Sequence, residues 1–284
     1  MSTLDDLARG IDARERATPG LKPDNEARIV FADAARARRP LSVVYLHGFT
    51  ASQAEGAPAH REIARACDAH LYLARLHGHG SDDPEAMAGA TPERWMADAD
   101  EALDVGLDLG ERVLLVGTSM GATLALDLAA RRGASVAGVV TWSPGIRVHD
   151  PAQLEAALSL SGAIPADGER TDFQRRYWSQ MIHSDGIRAV ARLLAERMRQ
   201  DILREITCPV FMGVWDGGEG DRDTLTSVRA MRDAFGWLGT PADRKSLQAY
   251  DHAAHVLASP ERSAAARHVE NDTLAFLRAM RIAR

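Results

Sequence analysis

Two short runs of almost unbroken apolar residues most constrain the fold of this 284-residue chain, SVVYL at 42–46 and VLLV at 113–116. A strand with one face in water alternates apolar and polar side chains. An unbroken run therefore indicates a central parallel strand that is buried on both faces. Parallel strands need long crossover connections, which are usually helices. We therefore expect an α/β fold with a mostly parallel central β-sheet and helices on both of its faces.

Further strand-like and helical segments alternate along the chain, which is typical of repeated strand–helix–strand units. Strands are predicted at 29–32, 42–46, 70–73, 113–116, 136–142, 209–215 and 246–250. Helices are predicted at 92–109, 120–132, 226–235 and 260–281. Residues 1–284 are expected to form a single domain.

The stretch 145–207 interrupts this alternation, because it carries helical patterns, the clearest at 187–198, and no good strand. It also concentrates large side chains, namely Phe173, Tyr177, Trp178 and Met181. Helices inserted between two strands of a sheet usually form a lid. We therefore favour an inserted helical lid at 145–207, and the alternative is a long crossover with an apolar underside.

The composition argues against several classes of protein. Hydrophobic residues make up 45% of the chain and charged residues 26%, as in ordinary globular proteins rather than disordered or fibrous ones. The formal net charge of −6 argues against a general binder of nucleic acid. Cys67 and Cys208 form neither a metal-binding spacing nor a disulfide framework, which favours a reducing compartment.

The expected location is the cytoplasm. Charges run throughout residues 1–16, so this stretch does not read as a secretion signal. No apolar run approaches the roughly 20 residues that a membrane span requires.

The sequence Gly117-Thr118-Ser119-Met120-Gly121 lies between a predicted strand and a predicted helix. In that position it is typical of a nucleophile elbow, a sharp turn that presents a serine hydroxyl above the sheet. Glycines suit such a crowded turn, and the start of the following helix favours negative charge. Ser119 is the predicted nucleophile, and the alternative is a buried serine in a tight turn.

A second motif, His47-Gly48-Phe49, directly follows the strand at 42–46. Acyl transfer builds negative charge on a carbonyl oxygen, and each backbone N–H aimed at that oxygen is worth about 3–4 kcal/mol. We predict that the N–H groups of Phe49 and Met120 form this oxyanion hole. His47 is expected to organise the loop rather than to react.

A serine nucleophile also needs a general base and an acid that orients the base. His252 and His255 follow the last predicted strand, and His255 is the favoured base. The loop after the strand at 209–215 offers four acids, namely Asp216, Glu219, Asp221 and Asp223. Serine, acid and histidine then follow each other in the chain order of the α/β-hydrolases.

Together these motifs resemble the α/β-hydrolase superfamily in its carboxylesterase and monoacylglycerol-lipase-like branch. The resemblance extends from Ile29 to the last predicted helix. Its carriers are LHGFTAS at 46–52, LHGHGS at 76–81, GTSMG at 117–121 and HVL at 255–257.

The resemblance implies a lid inserted after the strand at 136–142 and a loop-organising role for His79. It also ranks the candidate acids. Asp223, in Asp-Thr-Leu-Thr-Ser, is closest to the family pattern, with Asp216 and Asp221 behind it.

The expected activity is hydrolysis of a small-molecule carboxylic ester through an acyl-enzyme, with Ser119, His255 and Asp223 as the triad and with neither metal nor cofactor. Cleavage of a thioester, lactone, amide or carbon–carbon bond remains an alternative on the same framework. A non-catalytic receptor is a further alternative, whereas a dehalogenase with an aspartate nucleophile is excluded by Ser119. The sequence carries no pattern that indicates the chain length of the substrate or the oligomeric state.

Glu55 lies just past the loop that carries Phe49. It is a candidate pocket residue that would favour a polar or cationic group of the substrate. The simpler expectation is a solvent-exposed glutamate.

Overall fold

The computed structural model describes residues 3–166 and 168–284. The helices are α1 (Leu4–Arg16), α2 (Ala59–Ala66), α3 (Pro92–Leu109), α4 (Met120–Arg132), α5 (Pro151–Leu158), α6 (Asp172–Tyr177), α7 (Ser184–Arg197), α8 (Gln200–Leu203), α9 (Val228–Trp237) and α10 (Ala266–Ala279). The strands are β1 (Arg28–Val30), β2 (Arg39–Leu46), β3 (His70–Leu73), β4 (Gly110–Thr118), β5 (Val136–Trp142), β6 (Ala163–Pro165), β7 (Met181–His183), β8 (Val210–Gly218), β9 (Asp221–Arg222) and β10 (Lys245–Tyr250).

The central sheet has eight strands in the order β1-β3-β2-β4-β5-β8-β10, with β9 paired to β8. Six strands of the sheet are parallel to one another, namely β2, β3, β4, β5, β8 and β10. Strand β1 pairs antiparallel with β3, and β9 pairs antiparallel with β8. The two apolar runs lie in β2 and β4, which pair with each other at the middle of the sheet. The prediction of a mostly parallel central sheet is confirmed.

Two apolar layers cover the two faces of this sheet. Val44 of β2 belongs to a core shared with helices α3, α4, α7 and α9. The adjacent Val43 points the opposite way, into a core shared with α2 and α10. Because successive side chains of a strand face opposite sides, an unbroken apolar run supplies both cores at once. The prediction of helices on both faces is confirmed.

Several boundaries differ from those predicted. The helices at 92–109 and 120–132 have the predicted bounds, since Thr91 accepts the Arg94 N–H as a cap and Gly133 follows the second helix. The last helix begins at Ala266 rather than 260, because the Ser259 carbonyl accepts the Arg262 and Ser263 N–H groups in a separate turn.

The segment between β5 and β8 contains α5, β6, α6, β7, α7 and α8. The expectation of no strand there is wrong, because β6 and β7 form an antiparallel pair in which Ala163 lies opposite His183. Each of these strands has three residues. That is too short for an alternating pattern to be visible in the sequence.

Lys22 ties this inserted segment to the N-terminal part of the chain. Its ammonium donates to the carbonyl oxygens of Arg175 and Trp178, at the end of α6, at 3.0 and 2.8 Å. It also forms an ion pair with Asp82 at 2.9 Å. A cation is favourable at the C-terminal end of a helix, where the peptide dipoles leave partial negative charge.

Within the part of the chain that the structure describes, no helix is both long enough and apolar enough to cross a bilayer.

A buried ion pair between α4 and α7 generates a first prediction. Asp127 is fully buried and accepts N–H groups from Arg131 at 2.7 Å and Arg197 at 2.6 Å. Replacing Asp127 with Ala leaves Arg197 without its carboxylate and Arg131 with Asp100 alone. Because both arginines are partly exposed, we expect the free energy of unfolding to fall by about 1–3 kcal/mol.

Urea denaturation measures this loss. The matched control is Asp104→Ala, which removes an exposed partner of Arg132 and is expected to cost about 0–1 kcal/mol. Equal losses of unfolding free energy in the two variants would show that the buried pairs of Asp127 contribute no more than an exposed pair.

Candidate active site

Ser119 lies in a strained turn between β4 and α4. Its backbone has φ 52° and ψ −118°, a conformation that non-glycine residues rarely adopt. Its N–H donates to the Trp142 carbonyl oxygen of β5 at 3.0 Å. Its own carbonyl oxygen accepts the N–H groups of Thr123 and Gly145, each at 3.1 Å. These contacts on both sides hold the turn in place.

The two glycines beside Ser119 allow the chain to pass through a crowded space. A side chain at Gly117 would place its Cβ 2.6 Å from the Ala122 nitrogen. A side chain at Gly121 would collide with the carbonyl oxygen of Leu46, the last residue of β2. The first turn of α4 therefore lies directly against the end of β2.

This close approach brings the loop after β2 next to Ser119. A Cβ built on Gly48 would lie 3.2 Å from the Ser119 Cβ. His47 links this loop to the next one, since its Nδ1–H donates to the Gly48 oxygen at 2.9 Å and its Nε2 accepts the Leu76 N–H at 3.1 Å. Burial lowers the pKa of His47 to about 4, so its ring is neutral. These contacts agree with a loop-organising role.

Phe49 and His79 pack into the same layer. The Phe49 ring lies 6.1 Å from the His79 ring and 5.9 Å from the Trp95 ring. His79 is buried, which lowers its pKa well below the usual value, and its Nδ1–H donates to the His77 oxygen at 2.9 Å. His79 therefore braces the loop as a neutral ring.

His255 and Asp223 form the second half of the site. The Nδ1–H of His255 donates to Asp223 Oδ2 at 2.6 Å. Asp223 is fully buried, and its Oδ1 accepts the N–H groups of Leu225 at 2.8 Å and Thr226 at 3.0 Å. The Thr226 hydroxyl donates to Oδ2 at 3.0 Å. The carboxylate is therefore fixed and points at the imidazole.

The pair shifts both pKa values in the direction of an ion pair. Burial opposes ionisation of Asp223, but the charge and hydrogen bond of His255 and the two backbone donors lower its pKa overall. Burial also opposes protonation of His255, but the carboxylate of Asp223 and the charge of Glu55 raise its pKa above the usual value. An imidazolium at this position is stabilised.

The other candidate residues have different partners. Asp216 forms an ion pair with Arg232 at 2.7 Å. Asp221 accepts the Trp215 indole N–H at 2.6 Å and the His252 backbone N–H at 2.8 Å. The side chains of Glu219 and His252 are exposed. Of the four acids, Asp223 is the one that His255 contacts.

The two halves of the site meet through apolar neighbours. Val256, which follows His255, packs in one small cluster with Ala51 of the loop after β2 and with Trp178 of the inserted segment. The Ser179 N–H donates to the Thr50 oxygen at 2.8 Å. The residues after β2, the residues after β10 and the inserted segment therefore meet in one apolar cluster.

Glu55 is the residue that sequence reasoning placed wrongly. The expectation of an exposed glutamate is contradicted, because its relative exposure is 2%. Residues Gln53–Gly56 form a short 3-10 helix that turns back against β2, so the carboxylate accepts the Gly48 N–H at 2.6 Å and the Tyr45 hydroxyl at 3.4 Å. A single turn leaves no periodic pattern that would predict this burial.

Among residues 3–166 and 168–284, no three His, Cys, Asp or Glu side chains form a group that could hold a metal ion. The chemistry available here is that of a serine, an imidazole, two carboxyls and backbone N–H groups.

The chain is similar in sequence to known hydrolases. A family model described as serine aminopeptidase, S33, matches residues 38–167. The thermostable monoacylglycerol lipase of Bacillus sp. (strain H-257) is 27% identical over 183 residues, which cover 62% of this chain and 70% of the lipase.

Solved structures share the fold. A structure of the metagenome-derived lipolytic enzymes LipS and LipT has a TM-score of 0.73 and 20% identity, and the match covers 91% of this chain and 99% of the other. A soluble variant of monoglyceride lipase from Saccharomyces cerevisiae has a TM-score of 0.71 and 14% identity, covering 90% and 91%. The chain has the α/β-hydrolase fold. Its resemblance to the lipases and esterases of that superfamily is confirmed.

The contact between α4 and β2 generates a prediction for Gly121. Replacing Gly121 with Ala forces a methyl group against the Leu46 carbonyl, so either the turn or the strand must shift. We expect the free energy of unfolding to fall by about 1–3 kcal/mol, as in other overpacked sites.

Thermal unfolding and chemical denaturation of the variant measure this loss. The control is Gly133→Ala, where no atom lies within 4 Å of the new Cβ and φ is −53°. That variant is expected to be as stable as the parent or slightly more stable. A Gly121→Ala protein with unchanged stability would show that the close approach is not rigid.

Proposed function

We propose that this protein is a serine hydrolase that cleaves carboxylic esters through an acyl-enzyme intermediate. The observation that carries the proposal is the 2.6 Å hydrogen bond from His255 to the buried Asp223. Both residues follow parallel strands, so they lie at the same edge of the sheet as the strained turn at Ser119. A serine presented in this way needs a base that is oriented by an acid. The pair supplies both.

In the proposed first step, His255 Nε2 takes the hydroxyl proton of Ser119 while the oxygen attacks the ester carbonyl. Asp223 holds the proton on Nδ1, which leaves Nε2 free to act as the base, and it stabilises the imidazolium that forms. The N–H groups of Phe49 and Met120 hold the negative oxygen of the tetrahedral intermediate. His255 then protonates the departing alcohol, and the acyl group stays on Ser119.

In the second step, His255 takes a proton from a water molecule that attacks the acyl-enzyme. The same N–H groups hold the second tetrahedral intermediate. Its collapse returns the proton to Ser119 and releases the carboxylic acid.

A lipid-like acyl group is the proposed substrate class. A cavity of about 560 Å³ lies between α5, α7 and α9, and its apolar lining includes Ile146, Leu154, Leu194 and Trp237. Ile146 follows Gly145, whose N–H donates to the Ser119 carbonyl oxygen, so one wall of the cavity is connected to the turn through Gly145. Pockets of this size suit small-molecule ligands. The named relatives, a monoacylglycerol lipase and lipolytic enzymes, support the same class.

The segment 145–207 is proposed as a lid over this site. Trp178 packs against residues beside both halves of the site. A Cβ built on Gly186 of α7 would lie 3.2 Å from the Phe49 ring. These contacts support a covering role in excluding water from the reacting ester.

A peptidase is the second candidate, because the matching family model carries the description of a serine aminopeptidase. Acyl transfer from an amide uses the same residues. Hydrolysis rates of monoacylglycerols, short aryl esters and aminoacyl anilides distinguish the two candidates. The ester proposal is wrong if the anilides are the better substrates.

The assignment of the reacting residues is tested with a fluorophosphonate probe and peptide mass mapping. We expect labelling at Ser119 in the parent and none in Ser119→Ala. Replacing Asp223 with Asn retains the shape but favours the wrong imidazole tautomer, so kcat is expected to fall by about 10⁴-fold.

The control is Asp216→Asn, whose side chain pairs with Arg232 instead and whose activity is expected to match the parent. A folded parent that the probe does not label would remove the proposed nucleophile. A larger loss in Asp216→Asn than in Asp223→Asn would move the acid to Asp216.

The acyl-cavity proposal is tested by filling the cavity. Ala191 of α7 lines it, and Ala191→Phe adds a ring to that wall. We expect kcat/KM for long-chain esters to fall at least about tenfold, because a blocked apolar contact costs more than 1.4 kcal/mol, while acetate esters react as before.

The control is Ala156→Phe, a residue on the exposed side of α5, which should leave both substrates unaffected. Equal losses for short and long esters would place the acyl group elsewhere.

A further inference from the structure

Glu55 is a buried carboxyl that the mechanism above does not use. Glutamate is almost never fully buried unless it is paired, because removing its charge from water is costly. Here Oε2 accepts both hydrogen bonds, from the Gly48 N–H at 2.6 Å and from the Tyr45 hydroxyl at 3.4 Å. Both of these hydrogen bonds fall on the same carboxyl oxygen. The carboxyl is therefore held through Oε2.

The carboxyl lies close to Ser119 across the Gly48 backbone. A Cβ built on Gly48 would be 2.9 Å from Glu55 Oε1, 3.1 Å from Oε2 and 3.2 Å from the Ser119 Cβ. The carboxyl and the nucleophile therefore flank the same point above the Gly48 backbone. Gly48 immediately precedes Phe49, so the hydrogen bond to Glu55 fixes the peptide next to the proposed oxyanion donor.

The titratable groups around Glu55 come from several elements. Tyr45 of β2 donates to it, and its hydroxyl also contacts the Thr118 hydroxyl of β4 at 3.0 Å. The ring of His60 in α2 lies 4.8 Å from the Tyr45 ring at a tilt of 58°, and it is neutral, since burial lowers its pKa to about 3. The charge of His255 lowers the pKa of Glu55, and the charge of Glu55 raises the pKa of His255.

One further element packs against the turn that carries Glu55. This is α6, whose basic residues are Arg175 and Arg176. They pair with Asp172 and Asp24 respectively. Among the described groups, His255 is the one whose positive charge lowers the pKa of Glu55.

We propose that Glu55 is a positioning residue of this site: its carboxylate fixes the loop that carries the Phe49 N–H, and its charge acts on His255. The inference rests on the proposed function. The role is distinct from that of Asp223, because Asp223 orients the imidazole through Nδ1, whereas Glu55 contacts the opposite, oxyanion half of the site.

The charge of Glu55 changes the pKa of His255 in one direction. Burial raises the pKa of Glu55 to about 7, although the Gly48 N–H, the His255 charge and the Tyr45 hydroxyl each lower it. The ionised carboxylate raises the pKa of His255. His255 must be neutral to act as a base, so an ionised Glu55 moves the onset of reactivity to higher pH. Removing the charge moves that onset to lower pH.

The test is the rate of fluorophosphonate labelling at Ser119 as a function of pH. Glu55→Gln keeps the shape and an oxygen for the Gly48 N–H, and removes the charge. We expect the acid limb of its profile to lie about one pH unit lower than in the parent, the smaller end of the usual effect of a nearby charge.

Glu55→Ala also removes the acceptor of the Gly48 N–H. We expect the plateau rate of this variant to fall by about ten- to a hundredfold, because the adjacent donor is no longer held in place. The rate in Glu55→Gln should stay closer to the parent, so the conservative variant rescues the loss.

The matched control is Asp98→Asn. Asp98 of α3 is another largely buried carboxyl that accepts a backbone N–H, from His77 at 2.7 Å, and burial raises its pKa. The Asp98→Asn variant tests whether neutralising any buried carboxyl shifts the pH profile of labelling at Ser119. We expect the parent's acid limb to be retained.

A Glu55→Gln acid limb that coincides with the parent's would overturn the inference while leaving the proposed function intact. If Glu55→Ala does not fold, the Glu55→Gln profile alone decides. A folded parent that is not labelled at Ser119 would overturn the proposed function, and this inference with it.

Discussion

The site depends on the close approach of the first turn of α4 to the last residue of β2. Gly121 allows the helix to start against the Leu46 carbonyl, where any side chain would collide. That contact sets Ser119 beside the loop at His47–Phe49. The register of the sheet supports it, because Leu46 lies directly opposite Gly117. The position of Ser119 beside the loop after β2 thus follows from strand pairing and from the lack of a side chain at Gly117 and Gly121.

The other half rests on charge. The His255 imidazole donates its Nδ1–H to the buried Asp223, and the charge of the buried Glu55 adds to the effect of Asp223 on its pKa. Both favour the protonated ring, which burial alone would disfavour. A buried ion pair is costly unless its remaining hydrogen bonds are satisfied, and Asp223 meets this condition with donors from Leu225 and Thr226. The protein therefore stabilises a charge that the resting enzyme does not need and that the proposed reaction creates.

The sequence predicted those parts of the fold that leave a long pattern. The apolar runs of β2 and β4 and the amphipathic helix α3 are visible because burial on one or both faces imposes a period. The β6–β7 pair and the turn at Glu55 were not predicted, because three or four residues cannot display a period. Candidate residues such as Ser119 and His255 could be chosen from their place after a strand. The choice among Asp216, Asp221 and Asp223 depended on where a nine-residue strand ends in space, which local sequence does not determine.

The attachment of the inserted segment through Lys22 has a chemical consequence. The chain contains two lysines, Lys22 and Lys245, and the amine of each is bound to backbone carbonyl oxygens. An ammonium held in this way is a poor nucleophile toward acylating reagents, because it must first lose its partners and a proton. Acylation of Lys22 therefore requires release of the contacts that join it to the end of α6, and Lys245 serves as the internal reference.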